Sequence, residues 1–172
     1  MEEIEIPTEH LHETIAEKSE EALKGNENKW IMYLAISTAL VAVFAAIAGL
    51  MAGHHSNEAL IEQIKASDQW AYYQAKGIKA EIRSLRVNGT DDAAKIAQYK
   101  KEQQEIKKIA AAHEKLSEDH LDKHVSLAKA VTLFQIAIAI SAISILTKRK
   151  SLWYLGLLFS LAGIFSFLYG II

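Results

Sequence analysis

The chain reads as an all-α membrane protein: three transmembrane helices, with a long antiparallel coiled-coil hairpin between the first and the second. Three observations predict this. Residues 30–53, 130–147 and 151–172 contain no charged side chain, and each stretch is long enough as a helix to cross a hydrocarbon core of roughly 30 Å. The charged segment between the first two keeps apolar residues at alternating steps of three and four, the spacing of a coiled-coil seam. Near its middle, Val87-Asn88-Gly89-Thr90-Asp91 supplies a glycine suited to a left-handed C-cap and a Thr or Asp for the next N-cap, which together make a turn.

The predicted order begins with an acidic segment over 1–29, which carries nine acids against three lysines. Pro7 and Thr8 open a short amphipathic helix from about residue 9 to 23, closed by Gly25 and Asn26. Trp30 then anchors the first span at the interface. So many charges before an apolar run of this length do not fit a cleavable signal peptide, and the first span is expected to stay as an uncleaved anchor. From Gly53 to Val87 only Gly77 would weaken a helix, by about 1 kcal/mol, so the span should continue straight into the extramembrane hairpin of 54–129. There Ile61, Ile64, Asp68, Ala71, Ala75, Ile78, Ile82 and Leu85 form the expected seam, with Asp68 its one polar member. Beyond the turn, Ile96, Tyr99, Gln103, Ile106, Ala110, His113, Ser117, His120, His124, Leu127, Val131 and Phe134 keep the alternation and enter the second span on the same face. Two such helices of about 55 to 60 residues would each reach roughly 85 Å. The basic loop 148–150 and the third span complete the chain.

Charge and composition exclude several functions. The net charge is −2 and 51% of residues are hydrophobic, while residues 57–128 carry twelve acids and twelve bases. That balance offers no basic face for nucleic acid. The absence of cysteine removes disulfides, thiolate metal sites and thiol catalysis. No Asp, Glu, Lys, Arg or His lies in any span and Gln135 is the only amide there, which disfavours a transporter or proton path. No nucleophile, phosphate loop or cofactor motif is visible, so no enzymatic activity is expected. Lys148-Arg149-Lys150 in a short loop places that loop and the N-terminus in the cytoplasm, and the hairpin and C-terminus outside.

An antiparallel hairpin closed at Asn88-Gly89 pairs residues whose numbers sum to about 178, setting His54 opposite His124 and Asn57 opposite His120. His120 and His124 stand four apart on one face, a spacing that grips a divalent ion. With His54 and His55 they form a candidate metal site or a proton switch between pH 6 and 7. The competing reading is that polar seam residues, Asn57 and Asp68 included, pin helix register where water reaches the headgroups. Leu121 stands where the zinc-protease motif has glutamate, so hydrolysis is not indicated, and no other cofactor is expected. His113, opposite Ile64, reads as packed or solvated. Trp70 and Tyr73, bordered by Ala66 and Gly77, form an aromatic ridge level with Ile109, Ala112 and Leu116. This is either a surface for neighbouring subunits or a widening of the hairpin's own seam. Gly156, Gly163 and Gly170 repeat at seven, an edge along which helices of different copies could approach closely. Ser37, Thr38, Ser141 and Ser144 would line an uncharged pore, were one present.

The run Ser67-Asp68-Gln69-Trp70-Ala71-Tyr72-Tyr73-Gln74-Ala75-Lys76, preceded by Gly53-His54-His55 and Asn57-Glu58-Ala59, resembles a bacterial family of small membrane proteins known only as a domain of unknown function (four-three-three-seven). Glu5-Ile6-Pro7-Thr8-Glu9-His10 and Ala130-Val131-Thr132-Leu133-Phe134-Gln135-Ile136-Ala137 fit the same family. The resemblance implies a bacterial, multi-pass inner-membrane protein of this layout, and carries over no activity or catalytic residue. The expected function is a non-enzymatic membrane scaffold whose partners are the lipid bilayer and further copies of itself. The alternative is a metal- or pH-responsive sensor, or an oligomeric channel.

Overall fold

The computed structural model describes residues 29–85 and 90–172. The elements among the described residues are three helices: α1 over Lys29–Ser84, α2 over Thr90–Thr147 and α3 over Lys150–Ile171. The expected short helix at 9–23 and the turn at Asn88-Gly89 lie outside the described residues. α1 and α2, of 56 and 58 residues, run unbroken from apolar into charged sequence, as the lack of strong breakers requires. All three helices contain stretches long and apolar enough to cross a membrane. The chain divides into two compact units. One, here the span unit, comprises 29–53 and 123–172; the other, the hairpin unit, is His54–Asp122.

In the span unit α1 turns its small residues inward. Ala42, Ala45, Ala48 and Ala52 join Leu127, Ala130, Phe134, Ile138 and Phe167 in one buried cluster. The third helix meets α2 through its glycines. A Cβ added at Gly163 would lie 2.7 Å from the Phe134 ring, at Gly170 2.8 Å from Leu127 Cγ, and at Gly156 3.0 Å from Ser141 Oγ. Leu127, Phe134 and Ser141 themselves repeat at seven, so two matched heptad rows interlock, side chains on α2 filling the places left by glycines on α3. The glycine edge expected between copies is therefore occupied inside the chain. Leu40, Val43, Ile47 and Leu50 on α1, and Leu158, Leu161, Phe165 and Leu168 on α3, face outward.

One end of this unit holds the N-terminus of α1 and the basic loop together: Lys150 Nζ lies 5.9 Å from the centre of the Trp30 ring, and Trp153 donates to Ser37 Oγ at 3.2 Å. The loop turns at Lys148, whose φ of 52° is left-handed, and Ser144 donates to the Arg149 carbonyl at 2.9 Å. At the other end Lys123 reaches the Ile172 carbonyl at 3.4 Å. Thr38 donates to Leu34 and is buried with Ser141 and Ser144. The hydroxyls weighed as pore lining thus sit between helices of a single chain.

In the hairpin unit α1 and α2 are antiparallel, with Ser117 against Ala59, His113 against Glu62, Glu102 against Lys76 and Asp92 against Arg83. The face predicted for α2 is the one buried, through Ile106, Ala110 and Ser117. The face predicted for α1 is not. Ile61, Ile64, Asp68, Ala71, Ile78, Ile82 and Leu85 are exposed, and Ala59, Glu62, Ala66 and Ala80 are buried in their place. The inward face is shifted by two residues, a rotation of roughly 160°, because the alanine face lets the helices approach closely and carries the ionic partners of α2. Asp68 and Asn57, expected to fix register in the seam, are both exposed.

Candidate functional site

The seam of the hairpin unit is polar, and its residues are positioned by the facing alanines. Ala59 and Ala66, one turn either side of Glu62, bring α2 close enough for the Glu62 carboxylate, 8% exposed, to meet His113 Nδ1 at 2.5 Å and Lys65 Nζ at 2.7 Å. Those two neighbours, Lys65 foremost, hold the Glu62 carboxyl below the usual carboxylate range. Farther along, Lys76 pairs with Glu102 and lies over the rings of Tyr72 and Tyr99. Glu102 is lowered by Lys76 and then Gln98, and Lys76 is raised by Glu102 and then Tyr72. Arg83 pairs with Asp92 at 2.9 Å and is raised by it and by Tyr99.

Gly77 has a specific reason here. The Gln103 side chain donates to the Tyr73 carbonyl at 3.0 Å, and a Cβ on Gly77 would stand 2.7 Å from that amide nitrogen. Trp70 Nε1 donates to Glu114 at 2.8 Å, and its ring meets Tyr73 edge-on at 5.5 Å. Both aromatics are half-buried within the hairpin, the arrangement of a widened seam, whereas Ile109 and Leu116 remain exposed.

The histidines divide between the units. In the hairpin unit His55 Nδ1 and His120 Nδ1 are 3.0 Å apart, with ring centres at 5.2 Å, and the His54 ring lies 5.5 Å from that of His55. In the span unit His124 directs Nδ1 at the Ala52 carbonyl, 2.8 Å away. The seam partner of His120 is thus His55 rather than Asn57. Among the described residues no group of three or more His, Cys, Asp or Glu is arranged to hold a metal ion. Glu62 lies off the apolar periodicity of α1, so that pattern does not mark it; its spacing from Ala59 and Ala66 is the available signal.

No curated protein and no solved structure matches the chain. A family model, the domain of unknown function DUF4337, matches residues 30–172, which takes in all three helices but for their first residue, and the chain belongs to that family.

Proposed function

We propose that the protein is a non-enzymatic membrane scaffold whose hairpin associates with a second copy through the exposed apolar stripe of α1. One observation carries this reading: Ile61, Ile64, Ile78, Ile82 and Leu85 recur at heptad positions outside the spans, yet are exposed by between 43% and 79%. Burying an Ile or Leu side chain fully is worth about 1.5–3 kcal/mol, so half-exposed residues leave about 1 kcal/mol apiece still to be gained. Ile109, Ala112 and Leu116 each precede a residue that faces α1, just as Ile61 precedes Glu62. In an antiparallel pair these positions fall on the same side, which broadens the stripe. A heptad stripe is what another helix of the same kind covers. Copies inserted in one bilayer share an orientation, so their α1 helices run parallel and equivalent residues can meet.

In this reading the spans hold the protein in a bacterial inner membrane with the basic loop cytoplasmic and the hairpin outside. Mass measurement in nanodiscs tests it. The wild type is expected as a dimer or larger, and the Ile64→Lys, Ile78→Lys double variant as a monomer of unchanged helicity. A wild type that is monomeric at all concentrations would end the reading.

A further inference from the structure

We propose that His55 and His120 form a two-imidazole binding site for a divalent late transition ion, Cu2+, Ni2+ or Zn2+. The two rings come from different helices of the hairpin unit, both are half-buried, and their Nδ1 atoms are 3.0 Å apart with ring planes inclined by 35°. At that distance two neutral imidazoles share one proton. It is also the separation of two nitrogens bound side by side to one ion: metal–nitrogen bonds of about 2.1 Å at a right angle place them about 3.0 Å apart. Binding requires each ring to turn about its Cβ–Cγ bond until its Nδ1 lone pair points off the N···N line, toward a common point.

The ion takes the place of the shared proton. The ring that donated through Nδ1 moves its proton to Nε2 by way of solvent, so both rings stay neutral and no proton is lost overall. With no third protein ligand among the described residues, water completes the coordination. This implies an exchangeable ion held far less tightly than in a closed structural site. Imidazole nitrogen without thiolate selects the borderline ions named above over Cu(I), Mg2+ or Ca2+. Because the ligands lie on α1 and α2, an ion bound there clamps the two helices and stabilises the folded hairpin by mass action.

The test uses the full chain in nanodiscs, freed of metal by chelation and titrated with Ni2+ and Cu2+ in a His10→Gln, His12→Gln background. That background removes the N-terminal histidines as competing ligands. One ion per chain is expected, with a rise in melting temperature. Either His55→Gln or His120→Gln should weaken binding at least tenfold and abolish the rise, while His124→Gln should change neither. Cu2+ resonance spectra of the background protein should show coupling to two imidazole nitrogens, a readout that does not depend on the variants folding. Failure to bind, undiminished affinity in the His55→Gln, His120→Gln double variant, or coupling to a single nitrogen would each overturn the proposal.

Discussion

In both units α1 turns a row of alanines inward and a row of large apolar residues out, and the consequences differ. In the span unit Ala42, Ala45, Ala48 and Ala52 face the other helices, and Leu40, Val43, Ile47 and Leu50 face away, as suits a helix long and apolar enough to cross a membrane, since lipid tails are as apolar as such side chains. In the hairpin unit Ala59, Ala66 and Ala80 face α2, and Ile61, Ile64, Ile78 and Ile82 face away. Charged sequence surrounds these residues, and water in contact with them carries a free-energy cost. The same outward row is ordinary for a helix apolar enough to cross a bilayer, and in the hairpin unit it is the stripe that the proposed second copy would cover. The inner contacts differ as well: the span unit is held by interlocking side chains, the hairpin by alanine packing edged with partly exposed ion pairs.

The largest expected effect comes from disturbing the interlock. Phe134→Ala should destabilise the span unit by about 3–5 kcal/mol, and Gly163→Leu, which places a side chain where the Phe134 ring sits, by a comparable amount. Unfolding in detergent followed by circular dichroism measures both. A loss under 1 kcal/mol for each would mean that the Phe134–Gly163 contact does not organise this unit.

Lysine scanning of the outward residues sharpens the comparison. Leu158→Lys or Leu161→Lys should impair membrane insertion, since a lysine near mid-span costs about 2.5–3.5 kcal/mol. Ile64→Lys or Ile82→Lys should leave insertion and helicity intact and alter only association. Equal insertion defects at all four positions would remove the distinction between the two outward faces.

Acid should separate the units next. Glu62 and Glu102 are lowered by their cationic neighbours. A lowered carboxylate contributes stability that is present above its unfolded value, near 4.5, and is lost as pH falls through the lower folded value. Hydrogen exchange should therefore quicken in the hairpin below about pH 4.5 while the spans, free of carboxylates and histidines, keep their protection. Glu62→Gln should flatten that dependence, and an unchanged acid profile would show that its ion pairs contribute nothing. The smallest effect concerns the loop: Lys148 holds a left-handed φ of 52°, so Lys148→Gly should stabilise the span unit by up to about 1 kcal/mol.

Much of this was legible in the sequence, for reasons that differ by element. The uncharged runs picked out the stretches long and apolar enough to cross a bilayer, because a bilayer tolerates little else, and the buried face of α2 was readable in each unit, through Ile106 and Ala110 in the hairpin and Leu127 and Phe134 in the span unit. For α1 the rule that the most apolar stripe is the buried one pointed to Ile61 and Ile64, and the helix buries Ala59, Glu62 and Ala66 instead. Periodicity locates stripes but does not say which partner covers each. The glycine row was found correctly as a close-approach edge. Its partner, the row formed by Leu127, Phe134 and Ser141, lies within the same chain and only packing reveals it. The approach of His55 to His120 was offset by two residues from the expected pairing, a shift that a small change in register produces.

The claim that a second copy covers the α1 stripe is tested most directly by single cysteines, since the chain has none of its own. In a parallel pair, equivalent residues of the stripe bring their Cβ atoms within reach of a disulfide, about 3.5–4.5 Å. Under mild oxidation in nanodiscs, Ile64→Cys and Ile78→Cys are predicted to give covalent dimers in high yield, and Ala66→Cys, on the face buried against α2, to give none. Dimers that form at Ala66 but not at Ile64 or Ile78, or no dimers at any of the three, would contradict the account.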